Sequence, residues 1–333
     1  MKKFFRALLI LIAVLAIVYL FGPQPATPEY NKTIPEINAN INTIDSYVKE
    51  KESHHKIKPG NEAEIVWAND SLKQKTEYAI VYLHGFTASK EEGNPVHKNI
   101  AKKFGCNLYL SRLAEHGLDT TDQLINLTAE TYWQSVKEAL AIGKQLGNKI
   151  IVMGTSTGGT NALQLAAAYP NDVTGLILLS PNIAINDPMA WIANNHWGLQ
   201  IARLVKNGDF ISSKDQRGVF KKYWYNHYRL EGVSALQELL ETSMTKETFK
   251  KVTQPTLMLY YYKDAVHQDS VVKVSAMLNM FEQLKTPADK KRKVAMPNTG
   301  EHVLGSPIKS HDVDGVQKEI EKYLLEVLGL KLL

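Results

Sequence analysis

From residue 62 onward the sequence predicts an α/β fold with a mainly parallel, doubly wound sheet covered by helices on both faces. Apolar segments of strand length alternate with segments of helix length, which is the order that parallel βαβ units produce. The central strand segments are continuously apolar rather than alternating, as strands buried on both faces must be. They read AIVYL at 79–83, IIVM at 150–153, LILL at 176–179 and TLMLYYY at 256–262.

The order of elements follows from the same patterns. Strands are predicted near 64–68, 78–83, 108–110, 150–153, 175–179, 256–261 and 293–296. Helices are predicted near 95–104, 129–146, 160–168, 269–284 and 315–328. These elements define a domain of residues 62–333.

The N-terminal segment 1–22 has the pattern of a membrane anchor or an export signal. Three basic residues precede the uncharged apolar run 7–22. As a helix this run spans about 24 Å, and two preceding phenylalanines extend it toward the roughly 30 Å of a bilayer core. We therefore expect residues 4–22 to insert into a membrane. Pro23 and Pro25 stand where a small-x-small cleavage site would lie, which favours an uncleaved anchor over a cleaved signal peptide.

Residues 23–61 are predicted to form a linker and an amphipathic helix. The segment PQPATP is short and stiff. After Thr33, four apolar residues follow at helical spacing and form one stripe: Ile37, Ile41, Ile44 and Val48.

Between residues 182 and 254 the alternation of strands and helices stops. The segment is rich in aromatic residues and histidines: Trp191, His196, Trp197, Tyr223, Trp224, Tyr225, His227 and Tyr228. Such an insertion is predicted to form a helical cap, about 184–254, over the carboxyl edge of the sheet, where ligands bind in open α/β folds. These side chains can form the core of the cap or contact a ligand, and both roles stay open.

The segment IIVMGTSTGGT, residues 150–160, is the most informative part of the chain. It places the motif G-x-S-x-G between a buried strand and a helix-compatible segment. The sharp turn lifts the central side chain above the sheet edge, so Ser156 is predicted to be a nucleophile. The helix that begins after Ser156 directs backbone N–H groups toward the place where an oxyanion would form.

A serine hydroxyl needs a general base, and the base needs an acid that orients it. Where this motif forms a turn between a strand and a helix, both residues follow the serine in the chain. His302 follows the strand predicted at 293–296, and Asp264 follows the strand predicted at 256–261. Both are therefore expected at the same sheet edge as Ser156, with His302 as base and Asp264 as the orienting acid.

Three nearby residues are weaker candidates for these roles. Asp269 and His267 are expected where the next helix starts, so they point less surely to the sheet edge. Glu301 adjoins His302 and cannot easily orient it.

An oxyanion hole requires two preorganised N–H donors. Thr157, directly after the nucleophile, supplies one. The loop His84-Gly85-Phe86 follows the strand at 78–83 and supplies the N–H of Phe86, while the missing Cβ of Gly85 lets the backbone approach a substrate closely.

Together these residues resemble the α/β-hydrolase superfamily, in particular its capped esterase, monoacylglycerol-lipase-like and serine-aminopeptidase-like branch. The resemblance spans about 62–330 and is carried by HGF at 84–86, RLAEHG at 112–117, GTSTGG at 154–159, YKD at 262–264 and GEH at 300–302. Ala114-Glu115 departs from the Pro-Gly usual in the family's R-x-x-G-H-G turn. The resemblance implies an α/β-hydrolase fold and ester hydrolysis through an acyl-enzyme, without fixing the substrate.

The leading hypothesis is a serine hydrolase that cleaves small-molecule or lipid-like carboxylic esters outside the cytoplasm, anchored in the membrane or exported. An aminopeptidase is the first alternative. It needs an acidic residue for the substrate's amine, for which Glu91, Glu92 and Asp187 are candidates that no pattern positions. A non-catalytic binding protein is the second alternative, but such proteins commonly lose a member of the triad, and all elements are present here.

Charge and composition argue against other classes. The chain carries 39 Lys and Arg against 34 Asp and Glu, and three of the basic residues precede the apolar run, so the remainder is nearly balanced. The basic cluster 290–293 lacks interleaved aromatic residues, which argues against a nucleic-acid partner. Since no metal-ligand spacing or phosphate-binding glycine loop is present, we expect no cofactor and no metal. The sequence does not indicate an oligomeric state.

Overall fold

The computed structural model describes residues 1–333 and contains nine strands. They are β1 (Glu64–Val66), β2 (Thr76–Leu83), β3 (Asn107–Leu110), β4 (Gly147–Thr155), β5 (Val173–Leu179), β6 (Phe210–Ser212), β7 (His227–Arg229), β8 (Thr256–Tyr260) and β9 (Lys291–Ala295). Seven of them form one sheet in the order β1-β3-β2-β4-β5-β8-β9, in which only β1 runs antiparallel. The other two, β6 and β7, form a separate antiparallel pair.

Helices cover both faces of this sheet. They are α1 (Lys2–Leu20), α2 (Ile44–Ser53), α3 (Val96–Lys103), α4 (Ala129–Leu146), α5 (Thr157–Ala168), α6 (Gly198–Lys206), α7 (Gly218–Tyr223), α8 (Leu230–Ser243), α9 (Lys246–Lys251), α10 (Val274–Gln283) and α11 (Val313–Glu326). Short 3₁₀ helices lie at Lys90–Gly93, Ala190–Asn194 and Ala288–Lys290. Helices α3 and α11 pack on one face, and α4 and α5 pack on the other. The predicted α/β class with a mainly parallel, doubly wound sheet is confirmed.

Strand β2 shows why the central strands are apolar throughout. Val81 and Leu83 belong to the core on the α4 side, while Ile80 and Tyr82 belong to the core on the α3 side. All four are fully buried. Since each buried aliphatic side chain contributes about 1.5–3 kcal/mol, the two cores hold the sheet rigidly under the loops at its carboxyl edge.

The prediction of a helix beginning after Thr33 is wrong in its start, because the helix begins at Ile44. The Asn40 side chain accepts the N–H of Asn42 (2.9 Å), and the Thr43 hydroxyl accepts the N–H of Asn40 (3.0 Å). These local side-chain bonds compete with helix formation. Ile37 still packs against the core, although the segment around it is not helical.

The 180–255 segment connects the neighbouring strands β5 and β8 and contains α6 to α9 and the β6–β7 pair. It leaves the sheet at the carboxyl end of β5. Its Tyr225 donates a backbone hydrogen bond to the carbonyl of Thr87 (2.8 Å), in the loop after β2. The inserted segment is therefore fastened to the carboxyl edge of the sheet.

Candidate active site

Ser156 occupies the turn between β4 and α5 in a backbone conformation that residues with a side chain rarely adopt. Its φ is 54° and its ψ is −119°. The Ser156 N–H donates to the carbonyl of Leu179 (2.9 Å), and its own carbonyl accepts from the N–H of Asn182 (2.9 Å). These bonds to β5 and the segment after it hold a conformation that costs about 1–3 kcal/mol, a strain typical of functional sites.

The glycines around Ser156 are required by close backbone packing. A Cβ on Gly158 would collide with the carbonyl of Leu83 at the end of β2, and a Cβ on Gly154 would collide with the carbonyl of Gly158. The turn that carries Ser156 can therefore approach the loop after β2 only with glycine at both positions. This approach brings the predicted nucleophile beside the predicted oxyanion loop.

His302 is buried and lies in the loop after β9, where its ring is paired with a carboxylate. Nδ1 of His302 lies 2.6 Å from Oδ2 of Asp269, and the Asp269 side chain is fully buried. Nε2 of His302 is buried and has no hydrogen-bond partner. No hydrogen bond joins it to Ser156 Oγ.

Charge and burial act in opposite directions on the pKa of His302. Burial alone would lower the pKa of His302, but the charge and hydrogen bond of Asp269 and the charge of Glu92 raise it above the usual histidine value. Likewise, burial alone would raise the pKa of Asp269, but His302 and two backbone N–H groups lower it. The negative charge of Asp269 thus stabilises the protonated, imidazolium form of His302.

The prediction that Asp264 orients His302 is wrong. Asp264 is half-exposed, and both of its carboxylate oxygens lie within 3.0 Å of Nδ1 of His267. Hydrogen bonds from His267 and from the backbone of the same turn lower the pKa of Asp264 to about 2. Asp264 therefore closes a surface turn, as an aspartate after a strand often does.

Asp269 reaches His302 because the helix predicted from residue 269 begins only at Val274. Asp269 Oδ1 accepts the backbone N–H groups of Val271 (2.9 Å) and Val272 (3.1 Å), which forms a turn and leaves Oδ2 for His302. The β-branched pair at 271–272 is the signal in the sequence against a helix at this point.

The loop His84-Gly85-Phe86-Thr87 is held on several sides by side chains. Nε2 of His84 accepts the N–H of Leu113 (3.1 Å), so Nδ1 carries the proton and donates to the carbonyl of Gly85 (2.9 Å). Nε2 of His116 accepts the N–H of Thr87 (3.1 Å). Burial lowers the pKa of His84 to about 4 and the pKa of His116 well below the usual histidine value, so both rings are neutral and structural.

Two backbone N–H groups of the site remain without partners. The N–H of Phe86 donates no hydrogen bond within the protein, although its neighbours in the loop do. The N–H of Thr157, at the start of α5, donates none either, and no side chain caps the helix. The sequence predicts these two residues as oxyanion donors, and that role stays a prediction.

Aromatic residues of the inserted segment divide between two roles. The ring of Tyr228 packs edge-on against Phe86, with centroids 5.5 Å apart. Phe220 and Trp224 stack on each other (5.2 Å) and form a small core with Ala88 and Val303. Ala88 lies in the loop after β2 and Val303 follows His302, so this core ties the inserted segment to two loops of the candidate site.

Fold and site together define an α/β hydrolase. The sequence model of the family described as serine aminopeptidase, S33, matches residues 111–298, more than half of the chain. The chain therefore belongs to this family. The match ends just before His302.

Known proteins similar to this chain include lipases and esterases. A thermostable monoacylglycerol lipase from Bacillus sp. (strain H-257) is 28% identical over 187 residues, which cover 56% of this chain and 70% of that lipase. A structure from work on LipS and LipT, two metagenome-derived lipolytic enzymes, has a TM-score of 0.64 at 15% identity and covers 81% of this chain and 99% of its own. The monoacylglycerol lipase of Paleococcus ferrophilus has a TM-score of 0.56 at 15% identity and covers 79% of this chain and 97% of its own.

Est1E of Butyrivibrio proteoclasticus with bound ferulic acid has a TM-score of 0.54 at 19% identity, covering 80% of this chain and 95% of its own. At these identities the structural neighbours show the fold. Taken with the family match, the comparisons make the chain a lipase- or esterase-like α/β hydrolase.

Proposed function

We propose that the protein is a serine hydrolase that cleaves carboxylic esters through Ser156, His302 and Asp269 and an acyl-enzyme intermediate. The observation that carries this proposal is the buried His302–Asp269 pair (2.6 Å), whose other ring nitrogen has no partner. A buried imidazole with one nitrogen fixed by a carboxylate and the other unbound is arranged as a general base.

The mechanism follows from the positions of these groups. Nε2 of His302 accepts the proton of Ser156 as Oγ attacks the ester carbonyl. The N–H groups of Phe86 and Thr157 stabilise the negative charge on the carbonyl oxygen. His302 then protonates the leaving alcohol, and a water molecule activated by the same nitrogen hydrolyses the acyl-Ser156 ester. Asp269 holds the Nδ1–H tautomer throughout.

The contacts of the candidate amine-binding carboxylates favour esters over peptides with a free N-terminus. Glu91 accepts a hydrogen bond from the Asn94 side chain, and Asp187 accepts one from the N–H of Met189 (2.8 Å). Glu92 is buried and accepts the N–H of Gly85 (2.6 Å). In each case one carboxylate oxygen is already engaged by its own local structure, which supports esters over peptides as substrates.

A panel of esters and amides tests this proposal. We expect the purified protein to hydrolyse p-nitrophenyl esters and monoacylglycerols graded by acyl length, and to leave aminoacyl and prolyl anilides uncleaved. Cleavage of the anilides without the esters would establish an aminopeptidase. A properly folded protein that cleaves neither would support a non-catalytic binding role.

The pH dependence of hydrolysis reports on His302. Only the neutral imidazole accepts the serine proton, so kcat/KM is expected to fall as the pH drops through the pKa of His302. Because Asp269 and Glu92 raise this pKa, the midpoint should lie above the usual histidine value of 6.5. A kcat/KM that stays flat from pH 8 to pH 5 would exclude His302 as the base.

We also propose that α1 anchors the protein in a membrane with the α/β domain outside the cytoplasm. The helix has 19 residues, none of them buried, and contains an 18-residue stretch with a mean hydropathy of 2.3. At 1.5 Å per residue it is roughly 28 Å long. Trp197 of the inserted segment donates from Nε1 to the carbonyl of Val18 (2.9 Å), at the end of the helix where tryptophan favours the membrane interface.

Helix α6, which starts directly after Trp197, supports a position of the domain against the membrane surface. Its residues Ile201, Leu204 and Val205 lie on one face at helical spacing, and Leu204 and Val205 are 83% and 73% exposed. An apolar stripe turned outward beside the end of an anchor suits a lipid surface.

The anchor has a direct biochemical consequence. We expect the full-length chain to stay in the membrane fraction through a high-salt wash and to be released by detergent. Mass spectrometry of the N-terminus provides the control. A soluble chain that begins near residue 23 would contradict the anchor and show a cleaved signal peptide.

A further inference from the structure

Glu92 is a buried carboxyl group that the mechanism above does not use. It lies in the 3₁₀ helix Lys90–Gly93, and only 2% of its surface is exposed. Its Oε2 accepts the backbone N–H of Gly85 (2.6 Å), and no lysine or arginine pairs with it. Since a buried carboxylate without a cationic partner is costly, its position requires a reason beyond stability.

The position of Glu92 connects the two halves of the site. A Cβ built on Gly85 would lie 2.9 Å from Glu92 Oε1 and 3.0 Å from the Cβ of Ser156. The side chains of Glu92 and of the proposed nucleophile therefore both lie next to Gly85. On its other side, a Cβ on Gly305 would lie 3.1 Å from the Cα of Gly93, so the loop that carries His302 packs against this 3₁₀ helix.

We propose that Glu92 is a positioning residue of the hydrolytic site, which orients the oxyanion loop through Gly85 and strengthens His302 as a base through its negative charge. This inference rests on the function proposed above. By fixing the N–H of Gly85, Glu92 sets the direction of the next peptide group, and therefore of the Phe86 N–H. By placing a second carboxylate near His302, it stabilises the imidazolium that forms when the serine proton is transferred.

The other ionisable groups around Glu92 leave His302 as its main charged partner. Burial raises the pKa of Glu92 to about 7, against smaller opposing effects of the Gly85 N–H and His302. Burial raises the pKa values of the nearby Tyr82 and Tyr132 well above their usual range, and lowers those of His84 and His97 to about 4 and about 3, so these four groups are neutral between pH 5 and 8. Glu91 is adjacent in the chain, and Asp269 and Glu301 act on the same histidine.

The Glu92→Gln variant separates charge from hydrogen bonding, because the amide oxygen can still accept the Gly85 N–H. We expect the acid limb of kcat/KM to move to lower pH by about 0.5–1 unit, with kcat reduced roughly three- to tenfold. In Glu92→Ala the acceptor is lost as well, and we expect kcat to fall at least about tenfold further because the oxyanion loop is no longer fixed. Glu91→Gln, the matched control next in the chain, should leave both quantities unchanged.

Thermal unfolding distinguishes positioning from a structural role. Folding raises the pKa of Glu92 from its ordinary 4.5 to about 7, so the folded state loses stability as the pH rises through this window. Glu92→Gln cannot ionise, and its Tm should exceed that of the wild type at pH 8 and approach it at pH 5. A less active but more stable variant is the result expected of a positioning residue.

NMR titration of His302 provides a readout that does not depend on activity. We expect the His302 pKa to be lower in Glu92→Gln than in the wild type. If the wild-type protein cleaves no ester but this shift is seen, the proposed function fails while the coupling of Glu92 to His302 stands. If esters are cleaved and the pH profile and His302 pKa of Glu92→Gln equal those of the wild type and Glu91→Gln, the role of Glu92 is overturned.

Discussion

Replacing Ser156 with alanine is expected to reduce kcat for ester hydrolysis by about 10⁴-fold or more, to the level left by the oxyanion hole and binding alone. The strained backbone adds a second expectation. Because φ at Ser156 is 54°, Ser156→Gly should also abolish hydrolysis while raising the stability by about 1 kcal/mol. Initial-rate kinetics and thermal unfolding measure the two effects.

Ser180 provides the matched control for Ser156. It is a buried serine directly after the neighbouring strand β5, and its hydroxyl makes no hydrogen bond. Ser180→Ala should keep near wild-type activity. Equal losses in the two alanine variants would indicate a general effect of serine replacement at this sheet edge and would contradict the role of Ser156 as nucleophile.

Replacing Asp269 with asparagine is expected to lower kcat by about 10⁴-fold, because an amide no longer holds the Nδ1–H tautomer of His302 or stabilises its charge. The matched variant Asp264→Asn should stay within about twofold of the wild type, since Asp264 bonds only within its own surface turn. Steady-state kinetics on the same ester compare the two. A large loss in Asp264→Asn with normal activity in Asp269→Asn would restore the residue that the sequence favoured.

The fold could be predicted from the sequence because its signal lies in long apolar segments. Each of the seven predicted core strands overlaps a strand of the sheet. The positions of Ser156 and Phe86 follow equally directly, since each stands at a fixed offset from the end of such a strand.

The acid of the proposed triad could not be predicted with the same certainty because it depends on where a helix starts. Asp264 and Asp269 are both near the carboxyl end of β8, and only local hydrogen bonds decide which one faces His302. The turn formed by Asp269 with Val271 and Val272 delays α10 until Val274. Such competition between side-chain and helical hydrogen bonds is weakly encoded in the sequence.

The contacts of Glu92 could not be predicted from the sequence for a different reason. Its hydrogen bond to Gly85 lies within the connection between β2 and α3, but the 3₁₀ helix that carries it also packs against the loop of His302, which is far away in the chain. No motif or spacing reports such a contact. The sequence could offer Glu92 only as one of several acidic residues, whereas the structure gives it a particular neighbour on each side.

Mapping of a covalent adduct tests the central claim most directly. A fluorophosphonate probe should label the full-length protein once, and peptide mass spectrometry should locate the phosphonate on Ser156. Labelling should decrease below neutral pH as His302 is protonated and should be absent in Ser156→Ala. An adduct on another residue, or equal labelling of wild type and Ser156→Ala, would contradict the proposed nucleophile and with it the proposed reaction.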